Sequence, residues 1–188
     1  MSSPSSAPRQ CAGQRGFTLV EMITVMVIIG ILGAIGTARY FDRAVFDAAA
    51  YTEQMRGLIR YGQKVAVAQN RAVYVRLDGN SVALCFNNAN PCSTAAQVQA
   101  ASGSNSASKE TVAFCAAATS WACEGKPNGV SYTSTPAVAL FYFDALGKPY
   151  ADADTTYVST FTRLTVNVAS GDGTTSSITV EAESGHVY

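Results

Sequence analysis

The chain has 188 residues with 13 basic and 13 acidic side chains, so its formal net charge is zero. Charged residues make up 14% of the sequence and apolar residues 48%. This balance excludes a strongly basic nucleic-acid-binding protein, and the length suits one membrane helix with one modest globular head.

The first sixteen residues are rich in serine, proline and alanine, and they contain Arg9 and Arg15 but no acid. They have no apolar core of their own, so we interpret residues 1–16 as a processing segment that takes no part in the fold. Without them the chain has 11 basic and 13 acidic residues, a net charge of −2. Basic residues beside the apolar run that follows predict a cytoplasmic N-terminus by the positive-inside rule.

Residues 17–38 contain no charged side chain except Glu21, and no proline interrupts them. A helix over this stretch is about 33 Å long, and a bilayer core is about 30 Å thick, so the pattern predicts a membrane-spanning helix. An ionised carboxylate in such a helix costs at least about 2.5 kcal/mol. Glu21 is therefore predicted to be functional and to have a partner.

Cleavage after Gly16 would make Phe17 the new N-terminus, with its amino group one helical turn from Glu21. The run of residues 16–21, Gly-Phe-Thr-Leu-Val-Glu, resembles the prepilin motif of type IV pilins and of type II secretion pseudopilins. The resemblance implies that a membrane aspartyl peptidase cuts after Gly16 and methylates the Phe17 amine. It also implies that Glu21 of one subunit pairs with the Phe17 ammonium of a neighbour in a helical filament, which sets the axial register.

A cluster of small residues follows later in the apolar run: Gly30, Gly33, Ala34, Gly36 and Thr37. Small residues let helix backbones approach closely in apolar surroundings, so the cluster is consistent with helix packing in a filament core. Simple tolerance of glycine in a membrane helix explains it equally well, and both interpretations stay open.

After Arg39 the pattern becomes amphipathic, with one apolar stripe at steps of three and four residues. The stripe comprises Phe41, Val45 or Ala44, Ala48, Tyr51, Met55, Leu58 or Ile59, Gly62, Val65 and Gln69. No proline occurs between Pro8 and Pro91. We therefore expect one helix from about Phe17 to about Asn70, whose second half packs on the head.

The sequence pattern of residues 71–188 predicts a β-rich head. The pattern predicts strands at 72–77, 81–86, 111–115 (a short one), 138–143, 161–168 and 178–183. The first two are expected to form a hairpin with its turn at Asp78-Gly79-Asn80. Residues 87–109 are expected to form a surface excursion. Gly171-Asp172-Gly173 is expected to turn between the last two strands.

Two stretches in the second half of the chain also resemble a group of pilin-like proteins. Residues 143–149, with the pattern Phe-Asp-x-x-Gly-x-Pro, and the tail 178–187 are similar to the minor pilin and pseudopilin H group. Minor pilins of mannose-sensitive haemagglutinin-type pili look similar too. The resemblance implies a long N-terminal helix and a head of mainly antiparallel strands.

Cys11 lies in the leader, which leaves Cys85, Cys92, Cys115 and Cys123 in what should be the periplasmic part. Oxidising surroundings favour two disulfides, and four cysteines allow three connectivities. Sequential pairing, Cys85 with Cys92 and Cys115 with Cys123, closes two short loops and is our choice. Neither spacing matches the short knuckle that is typical of structural zinc.

No catalytic set is visible. His186 is the single histidine and stands two residues from the end, so a histidine-based triad is not expected. Asp152-x-Asp154 hints at a calcium loop, but an EF-hand would need glycine at Tyr157 and a carboxylate at Arg163. A calcium site of another type stays open as an unfavoured alternative; otherwise we expect no cofactor and no metal.

DNA binding needs lysine or arginine for phosphate contacts, and some minor pilins of this group bind DNA through a basic tail. This chain ends Ser-Gly-His-Val-Tyr without arginine. A phosphate-binding surface would then have to come from clustering of Arg71, Arg76 and Arg163. DNA is therefore an unfavoured partner.

The combined expectation is an α+β, pilin-like protein that is not an enzyme. Its predicted parts are a leader at 1–16 removed by prepilin peptidase, a transmembrane and filament-core helix at 17–38, an amphipathic half at 39–70, and a periplasmic β-rich head at 71–188. The expected location is the inner membrane as a single-pass protein, then the filament. The expected partners are other pilins or pseudopilins through the helix.

The favoured function is a minor structural subunit of a type IV pilus, in assembly, priming or the tip. One alternative is a minor pseudopilin of a type II secretion system. Another is a pilus-tip subunit that binds DNA or a surface.

Overall fold

The structure is a computed structural model that describes residues 17–155 and 157–188; within the first helix the side chains of residues 36–43 lie outside the described set. The predicted leader, with Gly16, also lies outside it. The chain divides into two compact units, Met1–Arg39 and Tyr40–Tyr188. The first helix, α1 (Leu19–Gln69), runs through the boundary between them.

The part of the first unit that the structure describes is helical from Leu19 onward. Every large apolar side chain from Phe17 to Ile35 is 46–78% exposed, so this segment has no core of its own. Among the residues whose side chains are described, no helical stretch is both long and apolar enough to qualify as membrane-crossing.

The second unit contains the rest of α1 and two antiparallel sheets. Its further elements in chain order are β1 (Val73–Leu77), β2 (Ser81–Cys85), a 3₁₀ turn (Thr94–Ala96), α2 (Lys109–Phe114), β3 (Cys123–Gly125), β4 (Val130–Thr135), β5 (Leu140–Phe143), β6 (Pro149–Ala151), β7 (Leu164–Ser170) and β8 (Thr175–Val180). One sheet has the order β3-β2-β1-β5-β6, and the other has the order β4-β7-β8. The fold is α+β, as predicted.

The core of the second unit lies where one face of α1 packs on both sheets. Tyr51, Met55 and Ile59 on the helix are at most 1% exposed and share this core with Phe141 and Phe143 of β5. The predicted stripe is confirmed at most of its positions, and Ile59 is the buried member of the Leu58/Ile59 pair. Gln69, the last predicted member, is exposed and was assigned wrongly.

The predicted hairpin is confirmed. β1 and β2 pair in antiparallel register, and Gly79 in the turn has a φ of +86°. Asp78 Oδ1 accepts hydrogen bonds from the backbone N–H groups of Asn80 and Ser81, at 2.8 and 2.6 Å, so the aspartate side chain braces the turn.

The predicted strand at 111–115 is wrong, because residues 109–114 form the helix α2. Ser108 is its N-cap, and its hydroxyl accepts a hydrogen bond from the Thr111 N–H at 3.1 Å. Glu110 lies in the first turn, where a negative charge favours the helix. The β-branched pair at Thr111 and Val112 led to the wrong prediction, since capping outweighs β propensity over so short a stretch.

The predicted surface excursion at 87–109 is partly wrong, because Ala96, Val98 and Ala100 are buried. The Val98 N–H donates to the Leu84 carbonyl at 3.2 Å, and the Ala122 N–H donates to the Val98 carbonyl at 2.8 Å. The middle of this segment therefore lies against β2 as an additional extended stretch.

The sequence prediction also missed three strands, β3, β4 and β6. β3 and β6 have only three residues each, and β4 is rich in serine and threonine. The last two strands of the fold, β7 and β8, lie a few residues away from the predicted bounds. The tail after β8 turns at Gly185, and Val187 pairs with Val180 as an isolated bridge.

Candidate functional site

The N-terminal motif begins in an exposed position. Phe17 is 78% exposed, and α1 starts two residues later. The Thr18 hydroxyl accepts a hydrogen bond from the Glu21 N–H at 3.3 Å, so Thr18 caps the helix. Threonine followed three residues later by glutamate is a capping-box pattern, a signal that our sequence interpretation of Glu21 did not use.

The cap occupies the backbone of Glu21 and leaves its carboxylate without a partner among the described residues. The Glu21 carbonyl accepts a hydrogen bond from the Thr24 hydroxyl at 2.9 Å, again through the main chain. Each of the three ion pairs found among the described residues involves other glutamates: Glu53, Glu181 and Glu183. Helix capping therefore explains a glutamate here only in part.

At Gly30, a small residue of this helix, no contact within the described chain requires glycine. A Cβ added at Gly30 would meet no atom within 4 Å. Glycine lowers helix stability by about 1 kcal/mol relative to alanine. Residues 17–35 of the first unit thus present an exposed, largely apolar surface, a carboxylate with no described partner and, at Gly30, no steric need for glycine within the described chain.

The two disulfides of the structure are Cys85–Cys92 and Cys115–Cys123, the sequential pairing of the sequence prediction, with Cα–Cα separations of 6.2 and 5.9 Å. All four cysteines belong to one buried cluster with Trp121. The Trp121 ring N–H donates to the Leu84 carbonyl at 2.8 Å. The cluster tethers residues 86–121, which have little regular structure, to the β2 side of the five-stranded sheet.

Gln63 of α1 contacts both the 143–149 stretch and the C-terminal tail. The Gln63 side-chain amide donates to the Gly147 carbonyl at 2.9 Å and to the Ser184 carbonyl at 3.0 Å. Gly147 and Gly185 both have positive φ, and a Cβ added at Gly185 would lie 2.4 Å from the Gly147 carbonyl oxygen. Gln63 therefore links the 143–149 turn to the C-terminal tail, a role that the sequence stripe had not assigned.

The three arginines considered for DNA have separate contacts within the head. Arg71 stacks over the Phe86 ring at 3.8 Å, and Arg76 donates to the Ala89 carbonyl. Arg163, just before β7, pairs with Glu181 at 3.1 Å. The hydrogen bond from Tyr188, together with this ion pair, lowers the pKa of Glu181. These contacts give no support to a shared phosphate-binding surface.

The candidate calcium loop is likewise occupied by internal contacts. Burial raises the pKa of Asp154, but hydrogen bonds from Thr160 and the Ala151 N–H outweigh it and the net pKa is lowered. Asp152 contacts the Asn88 amide at 3.4 Å. Within the described part of the chain, no group of three or more His, Cys, Asp or Glu residues is arranged to hold a metal ion. His186 stacks on Tyr188, with ring centroids 5.7 Å apart.

The family model described as "Prokaryotic N-terminal methylation motif" matches residues 11–37. A comparison with curated protein sequences gives no match. Among solved structures, the type IV minor pilin FimU of Pseudomonas aeruginosa PAO1 matches in two crystal forms. In one form the identity is 13% and the TM-score 0.47, with 82% of this chain and 90% of that chain covered. In the other form the identity is 14% and the TM-score 0.48, with 74% and 90% covered.

The matched residues include the Gly16–Phe17 junction, Glu21 and the exposed apolar part of α1. The same chain continues as a long helix that packs on antiparallel sheets. The chain therefore carries a prokaryotic N-terminal methylation motif at the start of a long helix, and its fold is α+β.

Proposed function

We propose that the protein is a minor structural subunit of a type IV pilus that acts in assembly, priming or the tip of the filament. The observation that carries the proposal is the apolar, exposed surface of residues 17–35 around one carboxylate with no described partner. A helix with such a surface has to be covered by lipid, by other helices or by both.

The proposal includes the processing that the motif implies. Residues 1–16 form a leader, prepilin peptidase cuts after Gly16, and the Phe17 amine is methylated. The subunit then waits in the inner membrane with its N-terminus at the cytoplasmic side and its head in the periplasm. Residues 17–38 serve as the anchor there and as the packing helix in the filament.

Glu21 supplies the register of assembly. In apolar surroundings burial disfavours the charged form of a carboxylate, and a nearby ammonium restores it. The Phe17 ammonium of an adjacent subunit provides that charge. Breaking such a pair from one side costs about 3–5 kcal/mol, because the other charge remains buried.

The alternative is a minor pseudopilin of a type II secretion system, which needs the same helix and the same processing. The two are distinguished by what is lost when the chain is deleted: surface pili in the first case, and secreted folded proteins in the second. Binding of DNA at a pilus tip has no support from the contacts of Arg71, Arg76 and Arg163.

Fractionation of cells that make the Glu21→Ala variant tests the proposal. The variant should stay in the inner membrane with a folded head and be depleted from sheared filaments. Glu53→Ala is the matched control, since Glu53 is an exposed acid on the same helix. Incorporation of Glu21→Ala at the wild-type level would contradict the register pair.

A further inference from the structure

A groove of about 500 Å³ opens in the head beside α1. One side is formed by the helix between Ala44 and Gln54, and the other by residues 106–110 and 125–129. All of these residues belong to the second unit of the chain.

The groove is negatively charged. Asp47 lines it from the helix side and Glu110 from the opposite side, and no lysine or arginine is among its described lining residues. Glu110 accepts a hydrogen bond from the neutral Asn128 amide at 3.1 Å. Neither acid takes part in an ion pair within the described residues, although Arg43, one turn before Asp47, has a side chain outside the described set.

The wall that carries Glu110 is held in place by close contacts. The Gly125 N–H donates to the Thr111 hydroxyl at 2.9 Å, and this hydroxyl donates to the Glu124 carboxylate at 3.0 Å. A Cβ added at Gly125 would lie 2.5 Å from the Glu110 carbonyl oxygen, so β3 and α2 are in direct backbone contact. The Cys115–Cys123 disulfide joins the ends of the same two elements. The groove is thus preformed.

Further polar groups accompany the two acids. Ser106 and Ser108 line the same wall, and Tyr51, which is only 1% exposed, lines the helix side. The Tyr51 hydroxyl has no hydrogen-bond partner among the described residues. Burial raises its pKa, so the hydroxyl stays protonated.

This chemistry favours an arginine side chain. Carboxylates on two walls match a guanidinium, which presents five N–H donors in a fixed plane and binds carboxylates with two parallel hydrogen bonds. Apolar surface in the groove, at Ala50 and Pro127, suits the aliphatic part of the same side chain.

No described arginine of this head is available to fill the groove, because each of them is engaged within the head; the side chain of Arg43 lies outside the described set. Arg56 contacts Glu53 and the Ser177 carbonyl, and Arg60 donates to the Val187 carbonyl. The contacts of the other three, Arg71, Arg76 and Arg163, are given above. A second copy would therefore have to break its own contacts to supply any of these five described arginines.

We propose that this groove receives an arginine from the head of a different subunit in the same filament. The proposal rests on the proposed function and adds the site and the chemistry of one head-to-head contact. In this contact the neighbouring arginine neutralises Asp47 and Glu110 together, and it aligns the two heads while the helices set the axial register.

Site-specific photocrosslinking of the full chain in producing cells tests the proposal. A photoreactive residue is placed at Gln54, an exposed position at the groove. A second one, at Met26 in the exposed apolar helix, serves as the control for filament assembly. The crosslinked peptides are then identified by mass spectrometry.

At Gln54 the expected product is a head peptide of another protein that carries the N-terminal methylation motif, attached at or beside an arginine. Glu110→Lys in the same chain should lower this product about tenfold or more. Asp152→Lys, a charge reversal outside the groove, should leave it unchanged. The purified Glu110→Lys protein should still unfold in one cooperative transition, only slightly below the wild type because the first turn of α2 loses a favourable charge, and this separates loss of contact from loss of fold.

The outcomes separate the two proposals. Crosslinks from Met26 to motif-bearing subunits without a product at Gln54 would overturn the groove contact and leave the filament function standing. Absence of both products would overturn both. A product at Gln54 with a second copy, with a peptide that has no arginine, or with no response to Glu110→Lys would also overturn the groove contact.

Discussion

The same helix, α1, is stabilised in two different ways along its length. Between Phe17 and Ile35 all its large apolar side chains are exposed, whereas Tyr51, Met55 and Ile59 are almost fully buried. The second stretch therefore owes its position to a core built by this chain. In the proposed filament subunit, lipid and neighbouring subunits cover the first stretch. Helical structure alone is thus no measure of how far a segment is stabilised by its own chain.

Paired truncations in the two regions give the largest expected contrast. Phe141→Ala should lower the free energy of unfolding of the head by about 3–5 kcal/mol, because it empties space in a closed core. Ile28→Ala should change it by less than about 0.5 kcal/mol, because Ile28 has no core to leave. Denaturant unfolding of the full chain in detergent, followed by Trp121 fluorescence, measures both. Equal effects would remove the distinction between the regions.

The second disulfide should stabilise only the head. Replacing both Cys115 and Cys123 by serine should cost about 2–3 kcal/mol of head stability, the value for a closed loop of this length. Non-reducing peptide mapping of the wild type should first show Cys85 with Cys92 and Cys115 with Cys123. Free thiols in periplasmic material would contradict the disulfides, and crossed pairs would contradict the connectivity.

A smaller effect is expected at the polar link between α1 and the two turns. Gln63→Ala leaves the Gly147 and Ser184 carbonyls without their donor, so the head should lose about 1–3 kcal/mol. Gln69→Ala is the matched control on the same helix, because Gln69 is exposed. Thermal unfolding of the two variants side by side is the measurement. A Gln63→Ala protein as stable as Gln69→Ala would show that the link contributes nothing.

The elements predicted well from the sequence are those with a long, consistent pattern. The helix could be predicted almost to its ends because the apolar run and the amphipathic stripe join without a proline between them. The β1–β2 hairpin could be predicted because Asp78 and Gly79 meet the demands of a tight turn. Both signals are local, and tertiary contacts agree with them.

The region from 87 to 135 was predicted poorly for a physical reason. β3, β4 and α2 are short, and their sequences are rich in small and hydroxylated residues whose intrinsic preferences are weak. Their structure depends on contacts distant in sequence, such as the Gly125 approach to Glu110 and the packing of Trp121 on β2. A pattern read over a few residues does not include those contacts.

The residues of the N-terminal motif could be identified from the sequence, whereas Gln63 and the acidic groove of the head could not. Phe17 and Glu21 stand out because a charge beside a cleavage-like junction is unusual in an apolar run. Thr18 was missed although its spacing to Glu21 is a known capping pattern. Gln63 and the acidic groove depend on residues that the fold brings together from several elements, and no local spacing in the sequence indicates them.

The N-terminus of the protein isolated from membranes is the most direct test of the account. Mass spectrometry should find a mature chain that begins at Phe17, carries one methyl group on its amine and lacks residues 1–16. The same material treated with a reductant should keep this N-terminus, since processing is independent of the head disulfides. A mature protein that still contains Cys11, or one that begins with an unmodified residue other than Phe17, would contradict the assignment of residues 17–38 to filament assembly.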